Sequence, residues 1–109
     1  MAYDTSLASR VRDVLGDNPE VREREMFGGI AFLLSGNMAV GVSKDELMVR
    51  VDPDEYEDVL AQPGVRAFDM TGRPMRGWIL VAPEATAEQG DLLRWVGSGV
   101  DFAATLPPK

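Results

Sequence analysis

The sequence predicts an α+β fold: one domain over residues 1–109, with a five-stranded, largely antiparallel sheet and the order α-β-β-β-α-β-β-α. Three observations predict it. Short apolar runs with alternating polar residues follow one another across two-residue turn signals, the pattern of hairpins. Amphipathic stretches with helix-capping residues stand near both ends of the chain. No internal repeat, low-complexity tract or linker interrupts the 109 residues, a length that buries roughly two-thirds of the surface an unfolded chain exposes.

The elements can be justified in order. Tyr3, Leu7, Val11, Val14 and Leu15 recur at helical spacing after an Asp4 cap, and Gly16-Asp17-Asn18-Pro19 ends that helix. Ile30 to Leu34 is apolar on both faces, as a central strand with cover on each side would be. After a Gly36-Asn37 turn, Met38, Val40 and Val42 alternate with smaller residues. After Lys44-Asp45, Leu47, Val49 and Val51 alternate with Met48, Arg50 and Asp52. Asp52-Pro53-Asp54-Glu55 starts a short helix, with a cap, a proline at the first position and acids in the first turn. Tyr56, Val59 and Leu60 form its inner face, and Gln62-Pro63-Gly64 closes it. Val65 to Met70 and Gly77 to Ala82 read as two further strands around a Thr71–Pro74 turn. Thr86-Ala87-Glu88-Gln89 fits a capping box for the last helix, whose inward stripe is Leu92, Leu93, Val96, Val100 and Ala103. Gly97 and Gly99 each cost about 1 kcal/mol inside a helix relative to alanine, so a break, a kink or close packing is expected there.

Composition narrows the chemistry. Histidine and cysteine are both absent, which excludes ordinary zinc sites, Ser-His-Asp triads and Cys-His dyads. No metal site, cofactor or catalytic residue is therefore assigned. The acids at Asp52, Asp54, Glu55, Glu57 and Asp58 lack calcium-loop spacing and read as a helix start followed by a solvated face. The net charge of −7 opposes the counterion-release term that drives nucleic-acid affinity. No apolar run reaches the ~18 residues of a membrane span, and the N-terminus has no secretory core. The expected location is the cytoplasm.

The pair Gly28-Gly29, inside Arg24-Glu25-Met26-Phe27-Gly28-Gly29, raises a choice between gripping a phosphate and shaping a sheet. A phosphate loop needs a helix N-terminus after the glycines, with a lysine and hydroxyl or a third glycine at fixed offsets. Here a strand comes next, so the glycines are assigned to a bulge or bend, together with Met26 and Phe27.

Glu25-Met26-Phe27-Gly28-Gly29, Gly36-Asn37-Met38, Glu46-Leu47-Met48-Val49-Arg50-Val51-Asp52, Gly72-Arg73-Pro74-Met75-Arg76-Gly77-Trp78 and the terminal Leu106-Pro107-Pro108-Lys109 resemble, in this order, the TfoX/Sxy N-terminal domain family. The resemblance covers essentially the whole chain and implies an α+β fold. The namesake regulators promote natural competence in some bacteria and carry a second, C-terminal domain. This sequence ends where that domain would begin, so it resembles the small stand-alone members, for which the family implies no catalytic residues.

Nine of the eleven basic residues are arginine, the side chain suited to bidentate carboxylate or phosphate recognition. The expected binding surface joins Arg24, Arg50, Arg73 and Arg76 with exposed Met48 and Met75, while Met26 and Met38 fill space beside the glycines. The alternative is that the arginines pair with Glu23, Glu25, Asp52 and Asp69 in surface ion pairs of little consequence. Trp78 and Trp95 read as core anchors between the last strand and the last helix, with Trp95 in a homodimer interface as the alternative. The functional expectation is a non-catalytic interaction or regulatory module for a protein partner. Its rivals are a DNA-associated regulator and an enzyme acting on a small anionic substrate.

Overall fold

A computed structural model describes residues 3–16, 18–26, 29–69 and 74–108 of the chain. Within them, Thr5–Leu15 forms α1. The Asp4 carboxylate caps it by accepting from the backbone N–H groups of Ser6 and Leu7 at 2.9 and 3.1 Å. Gly16, at φ 64°, closes it. Leu7, Ala8 and Val11 are buried. Asp4→Ala is expected to lower stability by about 1 kcal/mol, as N-cap deletions do. A urea midpoint equal to that of the parent chain would contradict this.

The sheet contains β1 (Val21–Met26), β2 (Gly29–Leu34), β3 (Asn37–Ser43), β4 (Glu46–Arg50), β5 (Val65–Asp69) and β6 (Pro74–Val81). Every pairing is antiparallel, in the spatial order β1-β2-β3-β4-β6-β5. The expected five strands are thus six. β1 lacks an apolar period because it is an edge strand paired only with β2, and Arg22, Glu23, Arg24 and Glu25 are all exposed. Charged residues on an edge also oppose unwanted strand addition.

Local turn chemistry refines several boundaries. The β2–β3 turn is Ser35-Gly36, both at positive φ (50° and 88°), as a two-residue hairpin of the I′ type requires. Asn37 therefore belongs to β3 and not to the turn. It is buried, and its side-chain Nδ2 donates to the carbonyl of Pro107 at 2.8 Å, tying the end of the chain to the sheet. Gly29 pairs with Met26 at the start of β2, and a Cβ there would collide with the Val42 carbonyl oxygen. Close strand approach explains this glycine, which opens a strand and not a helix. Phe27 and Gly28 lie outside the described residues. The register irregularity of the β2–β3 pair comes later, between Phe32 and Leu33, where Ala39 is the extra residue on β3.

The Asp52 start is as expected. Its side chain accepts from Asp54 N–H at 2.9 Å, and a 3₁₀ turn over Pro53–Glu55 leads into α2 (Tyr56–Leu60). α3 spans Gln89–Ala104 without a break, with Glu88 at its N-cap position, so the capping-box reading at Thr86 places its start two residues early. A 3₁₀ turn at Pro83–Ala85 intervenes, and the Thr86 hydroxyl donates back to the Pro83 carbonyl at 3.3 Å, so it caps nothing ahead of it.

The main core lies between the sheet and the helices. It is built from Leu7 and Val11 of α1, Ile30, Phe32, Val40, Val42, Leu47, Val49, Ile79 and Val81 of the strands, and Leu92, Trp95 and Val96 of α3. The opposite sheet face carries the row Ala31, Gly41, Met48 and Leu80 in direct register. It too is buried, as the two-sided apolar pattern of β2 implies. The Met48 and Met38 methyls occupy the room above Gly41, 2.7 and 2.9 Å from where its Cβ would stand. Among the described residues no helix is long and apolar enough to cross a membrane.

Candidate functional site

The sheet order separates the arginines that the sequence groups together. Arg24 is exposed on β1, an edge strand, whereas Arg50 and Arg76 stand on β4 and β6 toward the other edge. Arg73 lies outside the described residues, as does the Met75 side chain. Met48 is only 5% exposed, so the expected exposed methionine patch does not form with it. A residue that alternates with Arg50 toward the solvent side of a strand still becomes buried when neighbouring strands bring side chains over it.

Arg50 ends β4 two residues before Asp52, and Arg76 touches the far end of the 52–57 segment at Tyr56 and Glu57. Arg50 and Trp78 are direct cross-strand partners. The Arg50 guanidinium carbon sits 5.1 Å from the Trp78 ring centroid and 5.6 Å from that of Phe102 on α3. It makes no hydrogen bond or ion pair among the described residues. Trp78 is thus half-buried in an arginine–aromatic stack and is not the core anchor expected, while Trp95, 3% exposed, is. That burial also removes Trp95 from a homodimer surface. Gly77, at φ 92°, turns β6 just before Trp78. Arg76 lies 5.6 Å over the Tyr56 ring and 3.4 Å from a Glu57 carboxylate oxygen.

Among the described residues, Arg22, Arg24, Arg50 and Arg76 make no ion pair with Glu23, Glu25 or Asp52; the Asp69 side chain, like Arg73, lies outside them. Glu23 pairs with Arg12 of α1 at 2.7 Å, a hydrogen bond that raises the Arg12 pKa above its ordinary value. Successive strand residues point to opposite faces, so Arg22 and Arg24 cannot meet Glu23.

Beside the Arg50 stack, an open groove of ≈ 580 Å³ runs between α3 and the Asp52–Glu55 turn. Its walls include Asp52, Glu55, Leu93, Gly97, Asp101 and Phe102. Phe102 belongs both to the groove and to the stack. Sequence reasoning missed Phe102 and assigned Leu93 to the core, but Leu93 is 50% exposed. The available signal was helical phase. Leu92, Val96, Gly99 and Ala103 form the buried face, which turns Leu93, Gly97 and Asp101 toward the side. Arginine and carboxylate side chains next to aromatic rings can recognise a polypeptide by ion pairing, hydrogen bonding and stacking.

Comparison with known families matches residues 13–103 to the TfoX N-terminal domain. Among curated proteins, none matches the chain.

Proposed function

This chain belongs to the TfoX N-terminal domain family, and from that premise we propose that it is a non-catalytic interaction and regulatory module that binds a protein partner. The contact surface is the flank around residues 52–57. The observation that carries this reading is Arg50, stacked on Trp78 and Phe102 yet with no polar partner among the described residues. Stacking holds the planar fork in place, so little side-chain freedom is lost when its N–H groups meet a partner's carbonyl or carboxylate oxygens. Arg76, whose Glu57 pair is solvent-exposed and therefore weak, can exchange that partner for another. The net charge of −7 favours a protein over a phosphate backbone.

A photo-crosslinking amino acid in place of Ser98, on the groove wall, tests the proposal in the native cell. The expected result is a crosslinked protein whose yield falls about tenfold with Arg50→Ala, in line with loss of an anchoring arginine. Arg50→Lys should rescue little, because lysine lacks the stacking plane. A yield indifferent to Arg50 removes the stack from the contact surface. Tight, steeply salt-dependent binding of duplex DNA would replace the protein partner with nucleic acid.

A further inference from the structure

We infer that the groove between α3 and the Asp52–Glu55 turn receives a basic, apolar segment of the partner; the inference rests on the interaction role proposed above and names the partner's chemistry. Three independent features of the groove point to that occupant.

Its charge is acidic where it is free to act. The Glu55 and Asp101 carboxylates line it without a hydrogen bond or ion pair among the described residues. Among the described residues the Asp52 carboxylate engages only the backbone N–H of Asp54. Among the described residues, the cation on the wall is Arg94, and it is already occupied. It lies 4.5 Å over the Trp95 ring, donates to Gln62 Oε1 at 3.3 Å and is 3.8 Å from Asp91. A lysine or arginine entering the groove therefore meets unneutralised carboxylates.

Its lining is apolar at Leu93 and Phe102. Leu93 is the large hydrophobic side chain left exposed among the described residues, and the Phe102 ring stands beside the same groove. An apolar side chain laid against the two would remove Leu93 from water.

Its centre has bare backbone with no internal reason for it. A Cβ on Gly97 would meet nothing within 4 Å, in contrast to Gly99, which faces β3. Leu93, Gly97 and Asp101 succeed one another at four-residue spacing, so along about 12 Å of helix the order is apolar, bare, acidic. A partner segment can approach closest at Gly97, with its apolar side chain toward Leu93 and Phe102 and its cation toward Asp101 and Glu55. Arg50, beyond Phe102, then donates to that segment's carbonyl groups.

The test selects binders from a phage-displayed random peptide library on the intact chain. The expected peptides join Arg or Lys with Leu, Phe or Trp. They should bind Asp101→Lys and Gly97→Leu at least about tenfold more weakly, through charge reversal and blocked approach respectively. Both substitutions are on the helix surface, and thermal melts confirm that each variant is folded. Gly97→Ala provides a variant whose fold is strengthened, and it too should bind more weakly. Basic peptides that bind all three variants as they bind the parent overturn the inference, because general attraction to an acidic chain would account for them. Acidic peptides that need Arg50 but ignore Asp101→Lys overturn it while sparing the interaction role. Peptides indifferent to Arg50, Gly97 and Asp101 alike overturn both.

Discussion

Replacing Phe32 with alanine is expected to lower the unfolding free energy by about 3–5 kcal/mol, the range for emptying a large aromatic site in a core. Phe32 is 1% exposed at the middle of β2. Its Cα partners are Glu23 on β1 and Val40 on β3, so strands hold its backbone on both sides and the site cannot collapse by moving one element. Its ring also backs a cleft of ≈ 390 Å³ between α1 and β1, lined by Arg12, Val21 and Glu23. Deleting the ring would join that cleft to the core and admit water beneath α1. A domain of this size has a total stability of about 5–15 kcal/mol, so the variant would stand near the edge of folding at room temperature. Urea unfolding followed by the fluorescence of Trp78 and Trp95 measures the loss. Phe32→Leu should recover most of it, to within about 1.5 kcal/mol of the parent. A loss below about 1 kcal/mol for the alanine variant would mean that the cleft and core are already continuous.

The second large effect separates two glycines that look alike in the sequence. Gly99→Ala is expected to destabilise by about 1–3 kcal/mol, the range for overpacking, whereas Gly97→Ala should stabilise by up to about 1 kcal/mol. At Gly99 a Cβ would run into the Ala39 carbonyl oxygen and stand 2.8 Å from Val40 Cγ1. Ala39 is the extra residue of the β3 irregularity, so its backbone lies directly under α3 and can yield only if helix or strand moves. At Gly97 there is open space, and alanine gains its helical preference unopposed. Circular dichroism melts should therefore move in opposite directions for the same substitution two residues apart. Melting shifts of the same sign would refute the close contact between α3 and β3.

The reading of the fold from sequence succeeded wherever capping residues, turn pairs or an apolar period marked an element. The α1 cap at Asp4, the Asp52-Pro53 start and the strands through Val40, Val49 and Ile79 all carry such signals, although those strands are buried on both faces. It failed at β1, because an edge strand with exposed charges on both faces has no apolar period to detect. It also failed at the start of α3, where Thr86 has the right residue type for a cap but its hydroxyl turns back to Pro83. The expectation of a break, kink or close packing at the helix glycines resolved into close packing at Gly99 alone. Family membership was legible too, because the ordered motifs from Glu25 to Trp78 lie within the matched residues 13–103.

What the sequence by itself determined is the α+β class, the helix starts set by aspartate caps, most of the strands and the absence of imidazole and thiol chemistry. These come from local rules: side-chain period, capping hydrogen bonds and turn residues act within a few positions of the chain. Only the tertiary structure decided which arginines share a surface, that Met48 is buried while Leu93 is not, and that Phe102 meets Arg50 across more than fifty residues of chain. The physical reason is that exposure and stacking depend on strand order and helix placement. Both are set by the summed burial of many residues at once, and no short stretch contains that sum.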